Sequence, residues 1–423
     1  MICERRNNRV FEVGEKTMKR IRKKQIAVII PAALLVAAAV WFLAIRNKDK
    51  KQDVPDEEFL YDTVNPSCNY SEHTVLYFDG DGILHMIDTA SGKDMVYCDR
   101  PNCTHEGYSS KNPNPSCPAA FRSMSAGGVL FHRHLYCIGN LSEEDTLNTK
   151  YLYEMDANGE NRRKIATLNN VQLVRFVLYR DHYVIGGYCN SCEIDENGQI
   201  INDHVYVAGI FVIDLENHKV QMGNVHKDGH ADIMGIYYED GSVYYLNGHY
   251  GDEVTELMIS EGMEKDYETF IYDHVVEDLY RYDIKTQETT LVKSIGNFSS
   301  IHFLEGDVIY NTKEGFLLYD RKSGETEKLP IAKDAMGIYW SKDNLYFSRF
   351  PESNEAIYYH YANGKVEELF RTAAEESIAI ASIRGDTMYI GYYENGRYCL
   401  GAVSLREFNQ GIFNVKRLRY YNE

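Results

Sequence analysis

The chain has 423 residues, 44% of them hydrophobic and 26% charged, so it can bury a core; 34 Tyr and 31 Gly against 2 Trp and 9 Pro favour strands and turns over helices. Its charge is divided: residues 1–46 hold ten Lys/Arg and three Asp/Glu, which leaves 35 basic and 60 acidic residues in 47–423, a leader of +7 on a body of −25. A body this acidic does not neutralise phosphates, which excludes nucleic acid as a partner, and an anionic lipid surface repels it.

In chain order, residues 1–25 read as a basic tail. Residues 26–45, IAVIIPAALLVAAAVWFLAI, are an uninterrupted apolar run of twenty. At about 1.5 Å per residue such a helix spans the roughly 30 Å of a bilayer core. Pro31 lies in its first third, where a transmembrane helix tolerates it, and Trp41 and Phe42 stand near the far interface. Arg20, Arg22, Lys23 and Lys24 precede the run, so the positive-inside rule places the N-terminus in the cytoplasm and the rest of the chain outside it, at the cell membrane. Ala37-Ala38-Ala39 resembles a cleavage site, but the apolar run continues past it, which favours a retained anchor. Residues 46–58 read as a charged linker and residues 59–423 as one extracytoplasmic domain.

That domain repeats itself. An alternating strand, a turn with Asp, Asn or Gly, and a second strand recur at 83–97, 151–168, 210–222, 279–292, 316–329, 357–369 and 398–418. Asp88, Asp156, Asp214, Asp283 and Asp320 close the first strand in five copies, where a carboxylate can accept N–H groups of the turn that follows. A second hairpin precedes most copies, at 129–139, 176–188, 236–246, 301–311, 338–348 and 380–393. Two hairpins make four antiparallel strands, one propeller blade. The later spacings of 37, 41 and 43 residues lie in or near the blade range of about 40–50. The fold expected is therefore all-β, a β-propeller of seven blades preceded by one transmembrane helix; six or eight blades also fit. The first unit lacks a clear inner strand, for which residues 58–64 are a weak candidate. On these copies, and on the Cys/His segment below, residues 70–420 resemble the TolB-like propellers and, more closely, the uncharacterised membrane-anchored propellers of anaerobic Gram-positive bacteria. The resemblance implies a basic leader, one anchor helix and an extracytoplasmic propeller whose ligand is generally unknown.

Three early units are longer, and the excess lies in residues 99–122, 189–204 and 248–278. The first follows a fourth strand and the other two follow second strands. In an up-and-down blade these connections leave the same face of the disc, which makes that face the expected site for a protein, peptide or glycan. Residues 248–278 carry ten acidic side chains and one Lys, which suits a solvated flap or a dock for a cationic partner.

Four metal-ligand side chains cluster in VYCDRPNCTHEGYSSKNPNPSC: Cys98, Cys103, His105 and Cys117. Three thiolates and an imidazole complete a tetrahedral zinc shell with no open position, so a zinc here would be structural; disulfides are the other reading. The resembling propellers carry a similar C-x4-C-x-H…C-x-A segment, an ending kept in Cys117-Pro118-Ala119. Cys189 and Cys192 form C-x2-C after a strand, where a small disulfide or half a metal site is expected. Cys137 and Cys399 fall within strands and are expected to be buried, while Cys68 has no assigned partner.

No catalytic or cofactor-binding residue is assigned. The S-x-D-x-G-x-T-W box of sialidase propellers, the G-x-S-x-G elbow and a phosphate-binding Gly loop are absent, and Trp340 is the one Trp beyond the apolar run. Inner strands such as RFVLY and GIYYE are apolar and aromatic with few acids. The reading is a binding or scaffold module; a propeller lyase or glycosidase, or an envelope-sensing subunit, are the alternatives.

Overall fold

A computed structural model describes residues 68–421 apart from 141–147, 195–198, 203–204, 253, 256–257, 260–261, 263–269, 271–272, 297–299, 305, 342–343 and 352–353. The apolar run 26–45, the linker and the candidate inner strand at 58–64 lie outside the described residues. Within them no helix is long and apolar enough to cross a membrane.

The described chain forms seven four-stranded antiparallel sheets, each from one continuous stretch. Blade 1 holds β1 (Cys68–Tyr70), β2 (Thr74–Phe78), β3 (Leu84–Asp88) and β4 (Lys93–Val96). Blade 2 holds β5 (Ser123–Phe131), β6 (His134–Asn140), β7 (Thr149–Asp156) and β8 (Arg163–Asn169). Blade 3 begins with β9 (Leu173–Arg180) and β10 (Tyr183–Asn190); a ribbon of β11 (Glu193–Ile194) and β12 (Ile200–Asn202) intervenes before β13 (Tyr206–Asp214) and β14 (Val220–Asp228). Blade 4 holds β15 (Asp232–Glu239), β16 (Ser242–Tyr250), β17 (Val275–Asp283) and β18 (Thr289–Gly296). Blade 5 holds β19 (Ser300–Leu304), β20 (Asp307–Thr312), β21 (Gly315–Tyr319) and β22 (Thr326–Lys328). Blade 6 holds β23 (Met336–Ser341), β24 (Asn344–Arg349), β25 (Glu355–Ala362) and β26 (Lys365–Ala373). Blade 7 holds β27 (Ala379–Arg384), β28 (Thr387–Glu394), β29 (Arg397–Ser404) and β30 (Lys416–Tyr420). The fold is a seven-bladed β-propeller. Its first inner strand is β1, three buried residues later in the chain than the candidate at 58–64.

The period-2 pattern puts apolar side chains on both faces of each blade, and neighbouring blades bury them together. Ala208, Ile210 and Val212 of blade 3 pack with Val243, Tyr245 and Tyr282 of blade 4. Leu246 and Leu279, on the opposite face of blade 4, pack with Ile301, Phe303 and Val308 of blade 5. The turns that join the third and fourth strands of a blade follow the expected Asp chemistry. Asp88 Oδ1 accepts from Ser91 N (2.6 Å), Asp214 from Glu216 N (2.8 Å), Asp283 from Thr286 N (2.8 Å) and Asp320 from Lys322 N (2.7 Å). Asp156 differs, its carboxylate taking the Asn161 side-chain amide at 2.6 Å.

Among the described residues no sheet mixes strands from the two ends of the chain, and side chains of blades 7 and 1 pack together where the ring closes. Cys68, Tyr70, Val75, Tyr77 and Ile87 interlock with Tyr389, Leu400 and Leu418. Tyr389 donates its hydroxyl to Ser71 C=O (2.7 Å), Arg384 Nε bonds Tyr70 C=O (3.1 Å), and the Arg419 guanidinium lies 3.8 Å from the Tyr77 ring centroid. Each fully buried aliphatic side chain contributes about 1.5–3 kcal/mol, so several together outweigh the few ladder hydrogen bonds that a shared strand would add.

Candidate functional site

The segment joining β4 to β5 is held as a strap. Asn102 (φ 59°) and His105 (φ 55°) take left-handed backbone, which folds Cys103 and His105 back toward Cys98. A tight turn reverses the chain where Ser109 N bonds Asn112 C=O (3.1 Å) and Asn112 N bonds Ser109 C=O (3.0 Å), and the proline-rich return delivers Cys117. The four side chains read from the sequence are brought together: one ligand atom from each of Cys98, Cys103, His105 and Cys117 lies within 4.8 Å of the others. Cys117 Sγ is 3.6 Å from His105 Nδ1. Zn–S near 2.3 Å and Zn–N near 2.0–2.1 Å at a tetrahedral angle set sulfur and nitrogen roughly 3.6 Å apart, so the donor set fits a zinc ion. Burial pushes the Cys98 thiol up and Cys117 up to about 12, whereas the His105 backbone N–H holds Cys103 below the usual thiol range. A metal taken up here displaces thiol protons.

The strap is tied at both edges. Leu84 N bonds Ala119 C=O (2.8 Å) and Phe121 N bonds Gly82 C=O (2.8 Å), which fastens it to the β2–β3 turn. Gly107 packs so closely that a Cβ there would lie 2.4 Å from Asp81 O. On the blade 2 side, Arg162 reaches Ala120 C=O (2.7 Å) and Pro118 C=O while stacking 4.1 Å over Phe121, and Arg100 pairs with Glu160 (2.7 Å). The β2–β3 and β7–β8 turns lie at opposite ends of their strands, so the strap runs along the seam between blades 1 and 2.

The other insertions are shorter than their sequence boundaries. Cys189 and Asn190 belong to β10; β16 runs to Tyr250 and β17 starts at Val275, so the third insertion is 251–274, because the ladder of blade 4 extends through His249↔Val276 and Tyr250↔Val275. Cys189 and Cys192 are separate buried thiols: Cys189 Sγ bonds Ala231 C=O (3.3 Å) and Cys192 Sγ accepts from Gln172 Nε2 (3.3 Å). Cys68, Cys137 and Cys399 are buried within strands. A further grouping of His182, Asp214 and Glu216 sits at the opposite end of blade 3, where Asp214 also serves its turn.

At the insertion-bearing ends of blades 3 and 4 the charged groups bind one another, an arrangement the sequence reading missed. Arg175 on inner strand β9 makes a bidentate pair with Asp232 on inner strand β15, at 3.0 and 2.6 Å. His249 Nε2 meets Asp278 Oδ2 at 3.2 Å, and that bond raises the imidazole to about 9. Burial opposes ionisation of Asp278, but bonds from His249, Ser294 and Tyr280 hold it below the usual carboxylate range. Glu277, 1% exposed, faces Gly248, whose missing Cβ would lie 2.6 Å from Glu277 Oε1. Its Oε2 has no partner, and burial, with Asp232 and Asp278 nearby, raises its carboxyl well above the usual range. Leu173 and Met234 stand exposed on the inner strands β9 and β15 that carry Arg175 and Asp232. The alternation of RFVLY disclosed the apolar face but not the partner of its Arg.

A cleft of about 400 Å³ opens between blades 2 and 3. Tyr188, Asn190, Val207, Met222, Val225 and Lys227 line it from blade 3, Asn169 and Asn170 from blade 2, and Glu193 from the ribbon. The ladder explains this face. Asn190↔Val207↔Lys227 and Tyr188↔Gly209↔Val225 are opposed, and a bulge in β14 between Met222 and Val225 brings both side chains to the same face. That face is the reverse of the one packed on blade 4.

Fold and cluster together define a seven-bladed propeller with a Cys/His-bearing strap between its first two blades. No known family matches the chain, and no curated protein does. Solved structures of similar fold include an acylaminoacyl peptidase in complex with Z-Gly-Gly-Phe-chloromethyl ketone, at 12% identity over 86% of this chain and 53% of that one, TM-score 0.47. An oligogalacturonate lyase from Vibrio parahaemolyticus is similar at 11% identity over 68% and 75%, TM-score 0.44, and TolB from Acinetobacter baumannii at 13% over 79% and 76%, TM-score 0.34.

Proposed function

We propose that the chain is a membrane-anchored, extracytoplasmic binding or scaffold module that receives a protein, peptide or glycan on the insertion-bearing face, with one zinc ion pinning the strap through Cys98, Cys103, His105 and Cys117. What supports the binding reading is the state of the charged groups at that face. Arg175 is spent on Asp232 and His249 on Asp278, while exposed Leu173 and Met234 stand on the same inner strands as Arg175 and Asp232. A lyase or glycosidase needs a carboxylate or base free to meet its substrate. The enzymatic reading draws on Glu277 and Asp278, adjacent carboxyls driven apart in pKa. Glu277 is 1% exposed, which keeps substrate oxygens from it.

The test presents the full chain in detergent with panels of polysaccharides and peptides, read for binding and for product. Binding without turnover supports the module. Turnover that disappears in Asp278→Asn would make the chain an enzyme.

A further inference from the structure

We infer that the cleft between blades 2 and 3 is a docking groove for an extended peptide segment of a partner protein, one that inserts an apolar side chain against Met222 and Val225. The inference rests on the binding reading above and names its ligand class.

Five of the twelve large apolar side chains exposed among the described residues belong to one part of blade 3: Ile200, Ile201, Tyr206, Met222 and Val225. Concentration of this kind on one sector marks an interaction surface. Met222 (40% exposed) and Val225 (46%) form the floor of the cleft side by side because of the β14 bulge. The rim is polar without net charge. Lys227 is paired with Glu193 at 2.6 Å, and Asn169 and Asn170 present exposed side-chain amides. Amide donors and acceptors around an apolar floor match a peptide backbone carrying an apolar side chain.

The other occupants fit less well. A sugar ring stacks on an aromatic face, and the aromatic ring of this cleft, Tyr188, is 3% exposed. A second copy would bring together two bodies of −25. The outer edge of β14 adds a consistent feature: VQMGNV carries no charge over six residues, a longer uncharged opening than that of β18 (TTLV), whereas β4, β8, β22, β26 and β30 carry a charge within their first two residues.

The full chain in detergent is panned with a displayed library of random dodecapeptides. Enriched peptides are then titrated against wild type, Met222→Glu and Val225→Lys. Both positions are exposed, so the variants fold, which thermal unfolding checks. The expected result is peptides with a common apolar anchor whose affinity falls at least about ten-fold in both variants. Peptides that bind all three proteins equally overturn the groove and leave the binding reading standing. No enrichment over an empty carrier overturns the peptide class, and if glycan panels are also silent the binding reading falls with it.

Discussion

At the scale of single residues, the strap and the blade 3–4 junction make different demands on the solvent. Full chain purified anaerobically is expected to carry one zinc ion per chain, lost in Cys98→Ser and in His105→Ala; a chain without metal and with few free thiols would make the cluster a disulfide staple. The junction responds to pH through two histidines of opposite sign. Burial pushes His226 down to about 4, so it gains a proton on unfolding below the ordinary 6.5; its contribution is full above 6.5 and lost as pH falls toward 4. Asp278 raises His249 to about 9, so its contribution is full below 6.5 and lost as pH rises through 9. Between about 4.5 and 6.5 the His226 slope is opposed by that of the buried Glu277 carboxyl, so thermal unfolding is expected to vary least there and to fall most steeply above 6.5, where His249 and Glu277 act in the same direction. His226→Gln removes about 2 kcal/mol of acid sensitivity, and His249→Gln about 1 kcal/mol of alkaline sensitivity, the latter reduced by solvent screening. Glu277 adds to the alkaline limb: protonated when folded and ionised when unfolded, it costs stability as pH rises above the ordinary carboxylate value, and Glu277→Gln removes that slope. A flat profile in wild type would contradict all three assignments.

At the scale of elements, the strap depends on one side chain more than on its own hydrogen bonds. Arg162 is half-buried and serves two strap carbonyls while stacking on Phe121. Arg162→Met leaves those carbonyls without donors and is expected to cost about 2–4 kcal/mol in urea unfolding. A change under about 0.5 kcal/mol would mean that the strap stands by itself. The hairpins were legible because period-2 alternation and Asp-led turns are local signals: Asp88, Asp214, Asp283 and Asp320 each do what their position implies. β1 was not legible, because three residues carry no period and CNY owes its burial to β2 together with residues of blade 7 far away in sequence. The insertion boundaries were misread for a related reason. His249 and Glu277-Asp278 look polar in sequence and Val275-Val276 is too short a run to mark a strand by itself, so only the pairing across β16 and β17 discloses these residues as strand. The bulge that builds the cleft has Gly223 as its sole local trace, and Cys98, Cys103, His105 and Cys117 were legible as a set because their chemistry is rarer than their conformation.

At the scale of the whole molecule, the ring holds through one seam of side chains. Tyr389→Phe deletes the bond to Ser71 C=O inside that seam and is expected to lower stability by about 1–3 kcal/mol. Amide exchange should quicken together in β1 and in β27–β28, since the two sides of a seam open as one. Acceleration confined to blade 7 would show that closure rests elsewhere. The body charge of −25 also opposes compactness, so added salt is expected to stabilise the propeller by screening that repulsion.

The seam has a mechanical consequence. Tension on the chain N-terminal to Cys68 enters the propeller at its innermost strand, not at its rim. β1 is only three residues long, yet it is gripped from both neighbours: Asn69 Nδ2 holds Gly128 C=O of blade 2 at 2.7 Å, and blade 7 holds Tyr70 and Ser71. A pull there is shared at once among three blades, so the molecule resists being unravelled from the end at which it would be tethered.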